Sequence, residues 1–492
     1  MANWTDWLRH TGDAVREIQT ERQEFARKHQ EALIVQEPFG EDLEEALWRF
    51  RGLSVRAMEK GVFAYNDLDR FLQFSIVNAH DSAVEALACI YSGAGAPSAA
   101  LVRRLYEVTN LLTAGWLKPK ELRSAMQEAL SRPYADDRHA LLARAGALGA
   151  VMPSPNKVRE MAFGDSPEIR EFERVLKSFA HGGFASYVFY LSPQQQTDHL
   201  RRTIESSRDL ARVAKASTIM ASAAAAQVAT RLSFEMTYPH AYGVFTPQIV
   251  DALEDHAMRA FDECFPRAVD MIWGACVGIG SVTSELSEHI GSRGNDPIRR
   301  QQLVLVDGLE SAWLATELLF RGRLVAGGTV TRRLFEQSLE AQAWAQKPRM
   351  MTDRFSQSTG EFTSPSATHL IRVLHGPKDS TLQRQTYSTL CSIAHGGAQA
   401  EDFLLDGHWP RFRIQPAPAF MRRHHLWLLG TLISGVDALL GASLVIAERV
   451  DPDIARYHGG YLTNFREAIK TIPGLNLVRH EEAEPEDDFD RF

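Results

Sequence analysis

The chain has 492 residues and an ordinary composition, with 45% hydrophobic and 24% charged residues, and is long enough for two or three domains with cores of their own. Its net charge of −8 argues against a protein that coats nucleic acid non-specifically, although a local basic groove is compatible with it. The four widely spaced cysteines indicate neither a disulfide framework nor a zinc knuckle, and the polar N-terminus lacks a signal peptide's apolar core, so we expect a cytoplasmic protein.

Helical patterns run along nearly the whole chain. Residues 1–38 form a charged N-terminal extension that is predicted to be helical. In residues 66–93, apolar side chains recur at steps of three and four, the spacing of an amphipathic helix. Gly93 ends that helix, and Ser98 caps the next one, which runs to about Trp116. Because no long run of alternating β-branched residues appears, the sequence predicts an all-α fold.

An internal repeat divides the chain. A shift of 229 residues brings 66–107 onto 295–336 without a gap. The aligned identities include many polar residues: Asn66-Asp67 with Asn295-Asp296, Arg70 with Arg299, Ser82 with Ser311, Gly93 with Gly322, and Arg103-Arg104-Leu105-Tyr106-Glu107 with Arg332-Arg333-Leu334-Phe335-Glu336. A second signature, Ser-Phe-Ala-His-Gly-Gly at 178–183, returns as Ser-Ile-Ala-His-Gly-Gly at 392–397. We therefore predict two tandem helical-bundle units, 39–235 and 236–470, which form a pseudo-dimer.

Each unit is predicted to close with a long helix, at about 192–231 and 419–449. Part of the second helix, residues 426–447, is apolar over the length of a membrane span. Asp437 lies at its centre, where a carboxylate is costly in lipid, so we expect a buried bundle helix and no membrane span. The acidic tail, residues 471–492, is predicted to be disordered and either keeps the chain soluble or docks on a protein partner.

The repeated Arg-Arg-Leu-aromatic-Glu helix carries candidate site residues. Arg104 and Glu107, like Arg333 and Glu336, lie three residues apart and can form an ion pair on one helix face. Apolar neighbours place these charges at or near the core. Buried charges persist when they are partnered, so the pairs are either scaffold or part of a site.

The repeated histidines, His181 and His395, stand between an alanine and two glycines, a pattern that ends or kinks a helix. Imidazole gains and loses protons near neutral pH, so general acid/base chemistry is a natural hypothesis, beside the alternative of a helix cap or a core hydrogen bond. We find no P-loop, HExxH, GxSxG, EF-hand or GxGxxG motif, and we expect neither a metal nor a cofactor.

Together, these motifs resemble HEPN-like helical domains, which are common in bacterial abortive-infection and toxin systems. The resemblance covers about 40–120 with 165–235, and 270–345 with 380–450. It implies about four helices per unit and, in active members, metal-independent RNA cleavage by Arg and His of an Arg-x(4-6)-His motif. In the first unit six residues lie between Arg174 and His181, whereas the second unit has Ser388 at the position equivalent to Arg174.

The leading functional hypothesis is a bacterial stress or anti-phage defence protein that acts as an HEPN-like ribonuclease toxin. In it, Arg174, His181 and His395 are the catalytic candidates, while Arg104, Glu107, Arg333 and Glu336 hold the ligand or orient the catalytic groups. One alternative is a non-catalytic module that binds a nucleotide or small ligand in a pocket lined by these residues. Another is a structural partner protein of a defence system. Assembly into a homo-oligomer stays open.

Overall fold

A computed structural model of the chain describes residues 4–61, 67–131, 154–180, 196–232, 257–289, 297–354, 364–395, 418–472 and Leu475. Within these ranges the regular secondary structure is helical, and no strand occurs. The all-α prediction is confirmed. Several helix starts follow directly from the sequence, because Ser154 and Asp451 accept hydrogen bonds from first-turn backbone N–H groups and each precedes a proline.

The helices are numbered here in chain order. Their bounds are α1 Trp4–Gln36, α2 Glu41–Gly61, α3 Asp67–Tyr91, α4 Ala96–Leu117, α5 Pro119–Ser131, α6 Pro155–Phe163, α7 Pro167–Ala180, α8 Gln196–Arg231, α9 Ala268–His289, α10 Pro297–Phe320, α11 Leu324–Gln346, α12 Pro348–Thr352, α13 Ala367–Ala394, α14 Pro418–Val450 and α15 Pro452–Ile469.

Two sets of four helices pack in the same way. Helices α2, α3, α4 and α8 contact one another in the N-terminal half, and α9, α10, α11 and α14 do so in the C-terminal half. The two sets meet where α4 packs against α10 and α11. Four helices per unit is the number that the HEPN resemblance implies, whereas the family assignment stays a prediction.

Local details recur between the two sets at the 229-residue shift. Gly93 and Gly322 both end their helices with positive φ angles, 75° and 73°. Lys118 and Lys347 end α4 and α11 with nearly identical backbone angles, φ −135° and ψ 54° against φ −132° and ψ 50°. These likenesses are what an internal duplication predicts, although the duplication itself stays an interpretation of the sequence.

The closing helices α8 and α14 are each attached to the end of the Arg-Arg-Leu-aromatic-Glu helix. Arg231, at the end of α8, donates to the Gly115 carbonyl of α4. Arg449, at the end of α14, donates to the Trp344 carbonyl of α11 at 2.9 Å. Each guanidinium thereby satisfies a carbonyl that has no partner within its own helix.

The N-terminal helix α1 packs against both sets. One ring nitrogen of His29 lies 3.1 Å from the Tyr91 carbonyl and the other lies 3.1 Å from Ser207 Oγ, both in the first set. Arg22 binds both carboxylate oxygens of Glu310 in the second set, at 2.8 and 2.7 Å. The predicted extension is therefore an integral layer that ties the two halves together.

One helix among the described residues, His425–Val450, is long and apolar enough to cross a membrane. Its most apolar stretch is 61% buried, and α14 packs against α9, α10, α11 and α15. Asp437 on this helix forms an ion pair with Arg466 at 2.8 Å. A core helix of a helical bundle has the same length and composition, and these contacts favour that interpretation.

Candidate functional site

The two Arg-Arg-Leu-aromatic-Glu segments meet in one cleft. Helix α4 supplies the first segment and α11 the second, and the C-terminal end of α13 closes one side. The cleft has an empty volume of about 280 Å³. Its lining residues are Ala100, Arg103, Arg104, Glu107, Thr329, Arg332, Arg333, Glu336, Ala394 and His395.

The outer arginine of each doublet pairs with the glutamate of its own helix. Arg103 Nε donates to Glu107 Oε1 at 2.9 Å, and Arg332 Nε donates to Glu336 Oε1 at 3.2 Å. The ion pairs predicted at a spacing of three, from Arg104 and Arg333, are therefore wrong. Neighbouring helix residues point about 100° apart, so the first arginine faces its glutamate one turn on, while the second turns into the core.

The inner arginine of the second set is held by a carboxylate. Arg333 donates through Nη2 to both oxygens of Asp307 on α10, each at 2.8 Å. The two side chains are only 1% and 0% exposed. This is a fully buried ion pair, in which each charge offsets the desolvation of the other.

Within the part of the chain that the structure describes, the inner arginine of the first set has neutral hydrogen-bond acceptors only. Arg104 donates to Ser82 Oγ at 3.0 Å and to the Asn78 side-chain oxygen, both on α3. It also reaches across the interface to Thr329 Oγ1 at 3.5 Å and to the Ile393 carbonyl. Burial lowers the pKa of Arg104 to about 9, although Glu107 and Asp81 act in the opposite direction at longer range.

His395 links the two sets. It caps the C-terminal end of α13, which the sequence predicted from the following glycines. Its Nδ1 contacts Glu107 Oε2 of the first set, and Arg332 of the second set donates to its Nε2 at 2.9 Å. Since a guanidinium only donates, Nε2 must be unprotonated, and we assign the proton to Nδ1.

The charge states of this pair follow from their surroundings. Burial lowers the pKa of His395 against the effect of Glu107, and Arg332 lowers it further, which favours the neutral imidazole. Burial disfavours the Glu107 carboxylate, but His395 and Arg103 outweigh it and hold the pKa of Glu107 well below its usual range. The His395 side chain remains 22% exposed, so solvent reaches the cleft beside it.

An aromatic layer supports the second arginine–glutamate pair. The Tyr387 hydroxyl on α13 donates to Glu336 at 2.8 Å, and its ring stacks on Phe335 with centroids 6.0 Å apart. The Arg332 guanidinium lies 5.7 Å from the centre of the Tyr387 ring. These contacts fix the position of the Arg332 side chain at the edge of the cleft.

The structure separates two of the three catalytic candidates, Arg174 and His395. Arg174 lies on the outer face of α7, where it pairs with Glu171 of the same helix at 2.6 Å and remains 72% exposed. It does not line the cleft, whereas His395 does. His181, the glycines that follow both histidines, and the acidic tail apart from Thr471, Ile472 and Leu475 lie outside the described residues. The structure therefore places together Arg104, Glu107, Arg333, Glu336 and His395.

Sequence reasoning missed four residues of the site: Arg103, Arg332, Asn78 and Asp307. The first two were visible as the repeated Arg-Arg doublet. The last two occupy equivalent positions at the 229-residue shift but differ in charge, and the alignment was read for identities. A search for charge differences at aligned, buried positions would have found them.

No group of three or more His, Cys, Asp or Glu within the described ranges could hold a metal ion. No family model matches the chain, and no curated protein or solved structure is significantly similar to it. The function must therefore be inferred from the cleft itself.

Proposed function

We propose that the cleft between α4 and α11 binds a small molecule through a phosphoryl group, and that the protein is a nucleotide or small-ligand binding module. The observation that carries the proposal is the convergence of four arginines from two helices on one partly open cleft. Guanidinium groups match the tetrahedral oxygens of phosphate in geometry and charge.

The charges of the side chains that line the cleft favour an anionic ligand. With the His395 imidazole neutral, the four guanidiniums that line the cleft face the two lining carboxylates of Glu107 and Glu336. Asp307 behind Arg333 and, at longer range, Asp81 near Arg104 offset only part of the remaining charge, so the lining stays positive in surroundings where few water molecules screen it. An anion that enters the cleft balances this charge, whereas a cation is repelled.

The shape of the cleft limits the ligand. Its empty space of about 280 Å³ includes the open solvent at its mouth, so only a small anionic group, such as a phosphoryl group that is free or at the end of a larger molecule, reaches the arginines. A nucleic-acid duplex does not fit. Ligand contacts with Arg103 and Arg332 would join α4 to α11, so binding would stabilise one arrangement of the two halves. A sensor in bacterial stress or anti-phage defence, acting in the cytoplasm, is the role that we propose for such coupling.

RNA cleavage is the second candidate, supported by the arrangement around His395. A neutral imidazole with a carboxylate at Nδ1 and a guanidinium beside Nε2 resembles a general base held next to a phosphate-binding group. In this version Arg332 turns from His395 Nε2 to the phosphate, and Nε2 then accepts the proton of a ribose 2′-hydroxyl as that oxygen attacks phosphorus. The 5′-oxygen leaves and takes its proton from water. Arg174 lies outside the cleft and is 72% exposed, so this version does not use it.

Isothermal titration calorimetry of the full chain with inorganic phosphate and AMP tests the binding proposal. We expect Arg103→Ala and Arg332→Ala to weaken binding at least about tenfold, which corresponds to about 1.4 kcal/mol. Arg174→Ala is the matched control, because it removes an exposed arginine from the same half, and it should bind like the wild type. Absence of binding to the wild type, or equal weakening by all three variants, contradicts the proposal.

The same samples distinguish the second candidate. Incubation with a single-stranded RNA without added metal, analysed on a denaturing gel, should show cleavage that is lost in His395→Ala if His395 is a general base. Intact RNA with the wild type excludes this candidate and leaves the binding proposal unchanged.

A further inference from the structure

One substitution makes the two halves of the cleft electrically different. Asn78 on α3 and Asp307 on α10 occupy equivalent positions at the 229-residue shift, and each binds the inner arginine of its own set. The serines at 82 and 311 and the arginines at 104 and 333 are identical between the halves. The exchange of an amide for a carboxylate is therefore a charge difference at a position with the same structural role.

Because Asn78 stands where the second half has Asp307, the surplus positive charge of the cleft lies on the arginine of the first half. Arg103, Arg332 and Arg333 each have a carboxylate within 3.2 Å, from Glu107, Glu336 and Asp307 respectively. The hydrogen bonds of Arg104 go instead to an amide, two hydroxyls and a carbonyl. Among the described residues, Arg104 is thus the cationic group of the cleft that binds no carboxylate directly, although Glu107 and Asp81 act on it at longer range.

Arg104 places this charge at the buried floor of the cleft, since the residue is only 1% exposed. Its guanidinium crosses from α4 to Thr329 on α11 and to the carbonyl of Ile393, two residues before His395. The His395 side chain is the more exposed partner in this region, at 22% against 8% for Glu107. An anion that enters beside His395 therefore approaches the unneutralised guanidinium.

We propose that Asn78 determines anion recognition by leaving Arg104 without a carboxylate partner, so that the cleft takes one phosphoryl group, on the side of the first helix set. This inference rests on the proposed binding function and deepens it. Arg333 is already neutralised by Asp307, so the second side is a closed structural copy that provides no second binding position.

The decisive variant is Asn78→Asp, which gives the first half the carboxylate of the second. Titration of the full-length protein with inorganic phosphate should show at least a tenfold loss of affinity compared with the wild type. Asn78→Ser is the matched control, because it shortens the side chain and adds no charge, and its affinity should fall less than threefold. In the wild type the titration should give one phosphate per chain.

Thermal melting followed by circular dichroism accompanies the titration. Without phosphate, Asn78→Asp should melt at a higher temperature than the wild type, because the new carboxylate pairs with the buried Arg104. Phosphate should raise the melting temperature of the wild type but not of Asn78→Asp. A lower melting temperature or a loss of helical signal in Asn78→Asp contradicts the proposal, since it means that Arg104 does not accept a carboxylate partner.

The outcomes separate this inference from the proposed function. If the wild type binds phosphate and Asn78→Asp binds it equally well, the role of Asn78 is wrong while the binding function stands. Two phosphates per chain overturn the one-sided assignment alone. If neither phosphate nor AMP binds to the wild type, the binding function fails and this inference fails with it.

Discussion

The two halves of the molecule bury the same arginine in different ways, and the difference separates structure from recognition. Arg333 and Asp307 form a closed pair that is hydrogen-bonded through both carboxylate oxygens and nearly inaccessible to solvent. Arg104 occupies the equivalent position with neutral acceptors, two of which belong to the other half. A buried pair fixes helix packing, whereas a buried charge without a carboxylate partner leaves an electrostatic field that a ligand can satisfy.

The largest effect should come from breaking the closed pair. Asp307→Ala leaves Arg333 buried without its carboxylate, and we expect the free energy of unfolding to fall by about 3–5 kcal/mol. Urea denaturation followed by circular dichroism measures the change. Asp453→Ala removes one partner of the 79–80% exposed Arg456 pair and should cost no more than about 1 kcal/mol. Equal losses in the two variants would mean that burial of the Arg333 pair contributes nothing to stability.

A smaller effect is expected at the equivalent arginine. Arg104→Met keeps the length of the side chain and removes a charge that is expensive to bury, while Asn78, Ser82 and the Ile393 carbonyl lose a donor. The free energy of unfolding should fall by about 1–2 kcal/mol, since these opposing effects partly cancel. The same denaturation experiment measures it. A loss as large as that of Asp307→Ala would show that Arg104 is compensated as fully as Arg333.

The stability of the folded chain should depend on pH through His395, which links the two halves. Because the pKa of His395 is lower in the folded chain than its ordinary value of 6.5, the unfolded chain takes up the proton first as the pH falls. Stability should therefore decrease below about pH 6.5, by at most about 1.4 kcal/mol per pH unit for this one group.

Melting temperatures between pH 8 and pH 5 check this dependence. His395→Gln should flatten it, while His10→Gln, which changes an exposed histidine of α1, should follow the wild type. Burial also lowers the pKa of His29, so part of the dependence should persist in His395→Gln. An unchanged pH profile in His395→Gln would show that this imidazole is protonated alike in both states.

The smallest effect is expected at Arg174, the exposed arginine that the HEPN resemblance marks as catalytic. Its partner Glu171 lies on the same helix surface, and the two side chains are 72% and 60% exposed. Arg174→Ala should leave both the free energy of unfolding and the phosphate affinity unchanged within error. A loss of binding or of RNA cleavage in this variant would mean that the functional site includes α7.

The fold was largely accessible from the sequence because helix periodicity and glycine ends are local signals. The closing helices, predicted at about 192–231 and 419–449, lie at Gln196–Arg231 and Pro418–Val450. Five of the seven candidate residues lie in one cleft, because the repeated motif places them on two helices that pack together. The polar identities at the 229-residue shift indicated that the two motifs occupy equivalent helices.

The pairing inside the cleft was not accessible in the same way. A spacing of three or four residues leaves open which arginine faces the glutamate, and side-chain direction within the packed core decides it. Glu107 takes its histidine partner from the other half, 288 residues away, and no local pattern encodes that contact. Arg174 matched a motif by spacing alone, and spacing does not reveal burial.

The central claim is that the cleft between the two helix sets receives a phosphoryl group. A crystal of the full chain soaked with tungstate, a tetrahedral dianion of phosphate-like shape, would locate this group by anomalous scattering. We expect one strong peak per chain within hydrogen-bond distance of Arg103 or Arg332 and close to His395. An empty cleft with peaks only at exposed arginines such as Arg174 would contradict the claim.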